Sequence, residues 1–458
     1  MSRTVISSGR VIDPAHGLDG VADVVIESGR IAHIGPPRPA QADDDRIDAS
    51  GCIVSPGLID PHVHLREPGF ENAETIATGT AAGVAGGFTT LCCMPNTSPA
   101  LDSRVMVEFI NRQAQLNGCC RLFAVGAVTV GRKGEELAEI RLMSRAGAVG
   151  FSDDGDVVES PAMMRRALSQ IRLTGLALMQ HCQEPTLTRG SVMNSGPTAT
   201  RLGLVGWPSV AEELIIERDI RINHSIGCRY HVQHLSCAGA VEIVRRARAQ
   251  GQPVTAEASP HHLLLTDESC DGYNTMAKMN PPLRSAADVQ AVRAGVADGT
   301  ITILATDHAP HTAERKALPF DRAPFGIVGL ETALALYIKA LIQTRIIDWP
   351  RLIELMTINP ARLCNLNDRQ HGLGSLAVGH PADITIIDPD LNWTIKSAEF
   401  PGQSRNTPFE GWDVRGRAVM TIVAGRIMLD RQGRAAFPPA APAPLAGSSA
   451  GAPGDRGF

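Results

Sequence analysis

Along the middle of the chain, apolar residues gather into short runs that begin greasy and end in His, Asp or Asn. The runs are GFTTLCCMPN, RLFAVGAVTV, AGAVGFSDDG, LALMQHCQE, RYHVQHLSC, PVTAEASPHH and ITILATDHAPH. Each has the length of a buried strand rather than a helix. Amphipathic stretches such as SPAMMRRALSQIRLTG and GAVEIVRRARAQG lie between several of them. Repeated β-then-α units predict a parallel sheet. About eight strands within residues 56–366 predict an α/β fold of the closed (β/α)8 TIM-type barrel class rather than an open sheet.

The two ends of the chain have a different texture. VADVVIESGRIAHIG, at residues 21–35, alternates like a hairpin with Ser28-Gly29 as its turn. PADITIIDPD at residues 381–390 and GRAVMTIVAGRIML at residues 416–429 look similar. Residues 1–55 and 367–434 are therefore expected to share one small β domain, since chain ends often lie close together. From Ala435 to Phe458 the chain turns to Ala, Pro, Gly and Ser, which predicts a disordered tail.

Composition narrows the function classes. The 458 residues are 43% hydrophobic and 20% charged, which excludes a disordered or fibrous chain. The net charge of −5 and the lack of a basic run give no case for nucleic acid. No uncharged apolar run reaches the length of a membrane span, and the first residues lack the apolar core of a signal peptide. The ten cysteines include adjacent pairs and no CxxC, so they read as reduced cytosolic thiols. Met163-Met164 read as core, and GGFTT at residues 86–90 as a tight helix-to-strand turn, not a phosphate loop.

In barrels of this kind the carboxyl ends of the strands form the active site, so Asn96, Asp154, His181, His234 and Asp307 should converge. His62 and His64 in DPHVHLREPG are two apart and share one face of a strand. Imidazoles and carboxylates at several strand ends can surround one or two borderline divalent ions such as Zn2+. Two adjacent ions need a bridging anion. Asp153 and Asp154 are the candidates, and alternation points only one of them inward.

HVHLREPG, GGFTTLCCMPNT, FSDDG, HCQE, QHLSC, SPHHLLLTDE, KMNPPLR, DHAPH and PFGIVGLETA together make the chain resemble the class I, bacterial-type dihydroorotases of the amidohydrolase superfamily. The resemblance runs over about residues 1–430. It implies a (β/α)8 barrel with a small β-sandwich domain built from both chain ends. It implies His62, His64, Asp154, His181, His234 and Asp307 as ligands of two Zn2+ ions. Asp154 would be the bridge and Asp307 both ligand and proton carrier. Related hydantoinases and dihydropyrimidinases bridge with a carbamylated lysine, and this chain has no lysine at that strand end.

The implied reaction is reversible hydrolysis of (S)-dihydroorotate to N-carbamoyl-L-aspartate in pyrimidine biosynthesis, by a hydroxide held between the ions. Arg66 lies on the face of His64 and offers a bidentate match to the substrate carboxylate. Asn96, Asn280 and His311 are implied substrate contacts, with backbone near Phe325 and Gly326 completing ring recognition. His261, His262, His308, His224, His231, His371 and His380 read as structural or solvated. A cytoplasmic homodimer is expected, with aspartate transcarbamoylase a possible partner. The alternatives are a hydantoinase- or allantoinase-like amidohydrolase and a non-catalytic subunit of aspartate transcarbamoylase.

Overall fold

The computed structural model describes residues 3–36 and 44–433. The expected tail at 435–458 lies outside the described residues. Two sheet systems share the chain. The first is an eight-stranded sheet drawn from both ends. Its order is Arg426–Asp430, Asp413–Val423, Ile384–Thr394, Ile53–Pro56, Arg3–Asp13, Leu18–Glu27 and Arg30–Gly35, with Asp44–Asp48 paired to Arg3–Asp13. Leu18–Glu27 and Arg30–Gly35 form the expected antiparallel hairpin. Ser28 and Gly29 turn it with φ of 50° and 75°, the left-handed pair whose twist suits a two-residue turn. Ile6, Val24, Ile47, Val54, Ile386 and Ile422 are buried in a core belonging to this sheet alone.

The second system is a cycle of parallel pairings. Leu58–Val63 pairs with Phe88–Cys93, which pairs with Arg121–Ala124. Gly126 bridges to Phe151, and Phe151 to Leu178 in strand Ala177–Gln180. That strand pairs with Arg229–Val232, then Val254–Ala258, then Ile303–Leu304. His308 bridges back to Val63, so the pairings return to their start. Helices such as Ile76–Gly86, Pro161–Arg172, Val210–Asn223, Ala238–Ala249 and Ala286–Ala297 alternate with these strands. One expected strand is reduced. The run at residues 146–155 makes only single bridges at Phe151, because Asp153 leaves the ladder to accept backbone N–H groups from Val128 and Thr129.

Period-two alternation sorts the strand side chains between two cores. Leu91, Leu122 and Leu178 join the large core shared with the helices. Cys92, Val125 and Met179 face a separate core with Ile59, Ile303 and Ala305. Ala361, Leu363, Leu366 and Leu373 pack into that second core and fill it. The GGFTT turn is as read. Helix Ile76–Gly86 starts on a Thr75/Thr78 capping box and ends at Gly87, φ 93°. A Cβ on Gly86 would stand 2.0 Å from the Leu330 carbonyl oxygen, so only glycine permits that approach. All ten cysteines are free, and nine are buried. No helix among the described residues is long and apolar enough to cross a membrane.

Candidate active site

The polar strand ends converge. His62 sits in Leu58–Val63 and His64 just beyond it. His181 follows Ala177–Gln180, His234 follows Arg229–Val232, and Asp307 follows Ile303–Leu304. Asp154 follows the Phe151 bridge. All six side chains are buried. His234 and Asp307 have φ of 33° and 50°, a region that non-glycine residues seldom adopt and that clusters at functional sites.

Asp154 is the hub. Its carboxylate lies 3.3 Å from His64 Nε2, 3.5 Å from His62 Nε2, 3.5 Å from His181 Nδ1 and 3.6 Å from His234 Nε2. Asp307 Oδ1 lies 3.1 Å from His64 Nε2 and 3.5 Å from His62 Nε2. Asp153 is committed elsewhere. Its carboxylate accepts from the Val128 and Thr129 amides at 2.8 and 3.1 Å and from the Thr129 hydroxyl at 2.5 Å.

This donor set fits divalent ions. His62, His64 and Asp307 form one group, and His62, Asp154 and His234 another, each with ligand atoms within 4.8 Å of one another. His62 Nε2 and Asp154 Oδ1 are buried without a hydrogen-bond partner. Buried polar atoms are normally satisfied, and a cation would satisfy both. Mixed imidazole and carboxylate donors suit Zn2+ and similar ions.

Electrostatics agree with that arrangement. Burial opposes ionisation of Asp154, but His62, His181 and His234 outweigh it and hold the carboxyl well below its usual range. Asp307 is lowered too, with burial overcome by His62, His64 and His234. Burial likewise opposes charge on His62, yet Asp154, Glu257 and Asp307 raise its pKa well above the ordinary histidine value.

A cavity of about 270 Å³ opens on the cluster. His64, Asp154, His181, His234 and Asp307 line it, as do Arg66, Asn96, Asn280, His311, Phe325 and Gly326. Its size is below that of sites for drug-sized ligands, so it suits a small metabolite. Arg66 Nε donates to the Pro310 carbonyl at 3.1 Å, and its NH2 lies 3.5 Å from His311 Nε2. Burial brings Arg66 down to about 10, still a cation at neutral pH. His311 Nε2 donates to the Phe325 carbonyl at 2.6 Å; burial and then Arg66 push it down to about 2, so the ring is neutral. A Cβ on Gly326, φ 145°, would fall 2.6 Å from the Ala309 carbonyl oxygen and 2.8 Å from His311.

Residues 51–240 match the dihydro-orotase-like family model, and residues 209–428 the amidohydrolase family model. A dihydroorotase of Pelotomaculum thermopropionicum is 48% identical over 93% of this chain and 98% of its own. One from Syntrophotalea carbinolica is 47% identical with the same coverage. The chain belongs to the dihydroorotase family. Among solved structures, the L-hydantoinase (dihydropyrimidinase) of Arthrobacter aurescens is similar with a TM-score of 0.83 and 25% identity, covering 93% of this chain and 96% of that one.

Within this dihydroorotase-family site, three residues have no place in the sequence reading. Glu257 Oε1 accepts from His62 Nδ1 at 2.5 Å, and its Oε2 accepts from His231 Nε2 at 2.9 Å. Gln183 Oε1 accepts from His181 Nε2 at 3.0 Å and from Asn280 Nδ2 at 3.3 Å. Met279 lines the cavity beside Asn280. Asn96, which lines the cavity, also reaches the cluster: its Oδ1 accepts from His64 Nδ1 at 2.9 Å. Such outer partners fix the tautomer and orientation of ligating histidines. One signal for Glu257 is present: an acid between two alanines in a short, mostly apolar strand. His308 points away, as expected, with Nδ1 accepting from the Gly329 amide at 3.1 Å. His261 and His262 lie in the helical turn Pro260–Leu264, outside the Asp154 hub.

Proposed function

We propose that the protein is a dihydroorotase, opening and closing the cyclic amide of dihydroorotate and carbamoyl aspartate in pyrimidine biosynthesis. The observation that carries the reading is Asp154 amid four histidines at the floor of a cavity whose walls hold Arg66, Asn96, Asn280 and His311. The relatives' shared name supports it. We also read the cycle of parallel pairings as a (β/α)8 barrel over residues 56–366, with the sheet of residues 1–55 and 367–434 as the small sandwich domain beside it.

His62, His64 and Asp307 would hold one divalent ion, His181 and His234 a second, and Asp154 would bridge them. A divalent ion such as Zn2+ held there would lower the pKa of water and polarise a carbonyl oxygen. The chain's own residues do the rest. Arg66 pairs with the substrate carboxylate, helped by the amides of Asn96 and Asn280. His311 stands beside Arg66 with its single N–H held by the Phe325 carbonyl, and shapes the room for that carboxylate. Asp307 takes the proton of the attacking water and returns it to the ring nitrogen as the amide bond breaks. In ring closure the same carboxylate runs in reverse. Uncharged hydantoins need no carboxylate anchor, so Arg66 favours dihydroorotate over them.

Purified protein would be analysed for metal and assayed for ring opening of dihydroorotate, hydantoin and allantoin. Bound divalent metal with preferential turnover of dihydroorotate is expected. Preference for either uncharged ring, or metal-loaded protein without activity on any of them, would sink the assignment.

A further inference from the structure

The cavity wall opposite the histidines is a segment without regular structure. Residues 320–326 run from Phe320 through Asp321, Arg322, Ala323, Pro324 and Phe325 to Gly326. A segment of this kind must find partners for its backbone outside any helix or strand. Its amides contribute little: Arg322 and Ala323 donate to the Pro319 carbonyl, and Gly326 to the Lys278 carbonyl. Its carbonyls are almost all turned to the same two ammonium groups.

Lys278 Nζ donates to the carbonyls of Phe320 at 2.5 Å, Ala323 at 2.7 Å and Asp321 at 3.3 Å. Lys316 Nζ donates to the carbonyls of Pro324 and Gly326, each at 3.1 Å. The remaining carbonyl next to the cavity, Phe325, accepts from His311. Both lysines are buried, and neither makes an ion pair with a carboxylate among the described residues. Lys278 Nζ also sits 4.6 Å from the centre of the Phe325 ring and 5.3 Å from that of Phe320. A cation over an aromatic face adds attraction. Burying two lysine amino groups with carbonyl dipoles as their main compensation is costly, and burial lowers Lys278 to about 8 and Lys316 to about 7, so the arrangement calls for a return. That return is visible in the cavity. Lys278 is followed directly by Met279 and Asn280, both in its wall, and the segment it gathers supplies Pro324, Phe325 and Gly326.

We propose that Lys278 and Lys316 are positioning residues that clamp residues 320–326 into the substrate-recognising wall. They touch neither the histidine cluster nor the space for substrate. They act through the Phe325–Gly326 backbone and, by way of the Phe325 carbonyl, through His311. Loss of either ammonium should loosen ring and carboxylate recognition while leaving the Asp154 hub and its proton chemistry in place.

The inference rests on the dihydroorotase reading only for the substrate in its kinetic arm. Lys278→Met and Lys316→Met keep the buried stem and remove the Nζ donors. Each should raise KM for dihydroorotate about tenfold or more while changing kcat less than about threefold, the signature of lost ground-state binding. Arg322 is exposed on the segment and gives a second readout independent of activity. Trypsin should cut after Arg322 faster in both variants than in the parent, with metal content unchanged. Unchanged KM together with unchanged cleavage at Arg322 would overturn the proposal. So would a fall in kcat alone, or failure of both variants to fold, either of which would make the lysines props of the framework. If the parent lacks activity on dihydroorotate, the cleavage comparison still decides whether the clamp exists.

Discussion

The two sides of the cavity are built on opposite principles. On the floor, six side chains gather at strand ends, and the outer nitrogens of His62, His181 and His64 are held by Glu257, Gln183 and Asn96. On the wall, the carbonyls of an irregular backbone segment accept from two buried lysines, and the segment would meet substrate through its own peptide groups. Strand ends give rigid placement suited to chemistry. A clamped loop gives close backbone approach suited to shape. The contrast teaches that substitutions on the floor should alter whether the reaction runs, and those on the wall should alter what it runs on.

The largest expected effect breaks the floor. Asp154→Asn removes the charge shared by four histidines, so kcat/KM should fall by more than the ~100-fold that loss of an outer partner costs, with loss of bound metal by elemental analysis. Asp307→Asn should cut kcat far more than it raises KM if that carboxylate carries the proton as proposed. Next comes the wall and its anchor. Arg66→Ala should raise KM about 10- to 100-fold, as expected for a charged hydrogen-bonding partner worth about 1.5–3 kcal/mol. Unchanged dihydroorotate kinetics in that variant would separate Arg66 from the substrate carboxylate.

Glu257→Gln sharpens the comparison from beneath. It leaves all six proposed ligands intact but weakens the hold on His62 Nδ1, so metal affinity in a chelator competition should fall at least about tenfold. The smallest effect is one of pH. Asp154, Glu257 and Asp307 raise the His62 pKa, so protons hold that nitrogen at a higher pH than on an ordinary histidine. Metal must displace them, and metal loading should decline as pH falls. Chelator-accessible metal measured from about pH 8 down to about pH 5.5 should increase on the acid side, starting above the ordinary histidine range. Metal retention that is flat across this range would contradict the assignment of His62 as a ligand.

Legibility in the sequence divides along the same line. His62, His64, His181, His234 and Asp307 end apolar runs, so their convergence follows from strand polarity and the rule that sites lie at carboxyl ends. The choice between Asp153 and Asp154 stays open to alternation alone, since the segment never becomes a regular strand and Asp153 is captured by Val128 and Thr129. Glu257 carries only a weak sign in the sequence, and the partners that give it and His231 their place come from other strands. Lys278 and Lys316 are less legible still. Lysine is the residue most expected at the surface, and the burial of these two depends on carbonyls of an irregular segment, 42 to 45 residues along the chain from Lys278 and 8 to 10 from Lys316.

The sheet that joins the chain's two ends bears on how the molecule comes into being. Ser55 donates its hydroxyl to the carbonyl of Thr385, 330 residues further along, and Ile53–Pro56 takes its antiparallel neighbour from the same late stretch. During synthesis that early strand leaves the ribosome long before its mate. Until then it offers an open edge of Ile, Val and Ser, the kind of surface that folding helpers shield or that strays into aggregates. The last β segments therefore act as a latch, and a nascent chain halted before residue 384 should be trapped as an unfinished, chaperone-bound species.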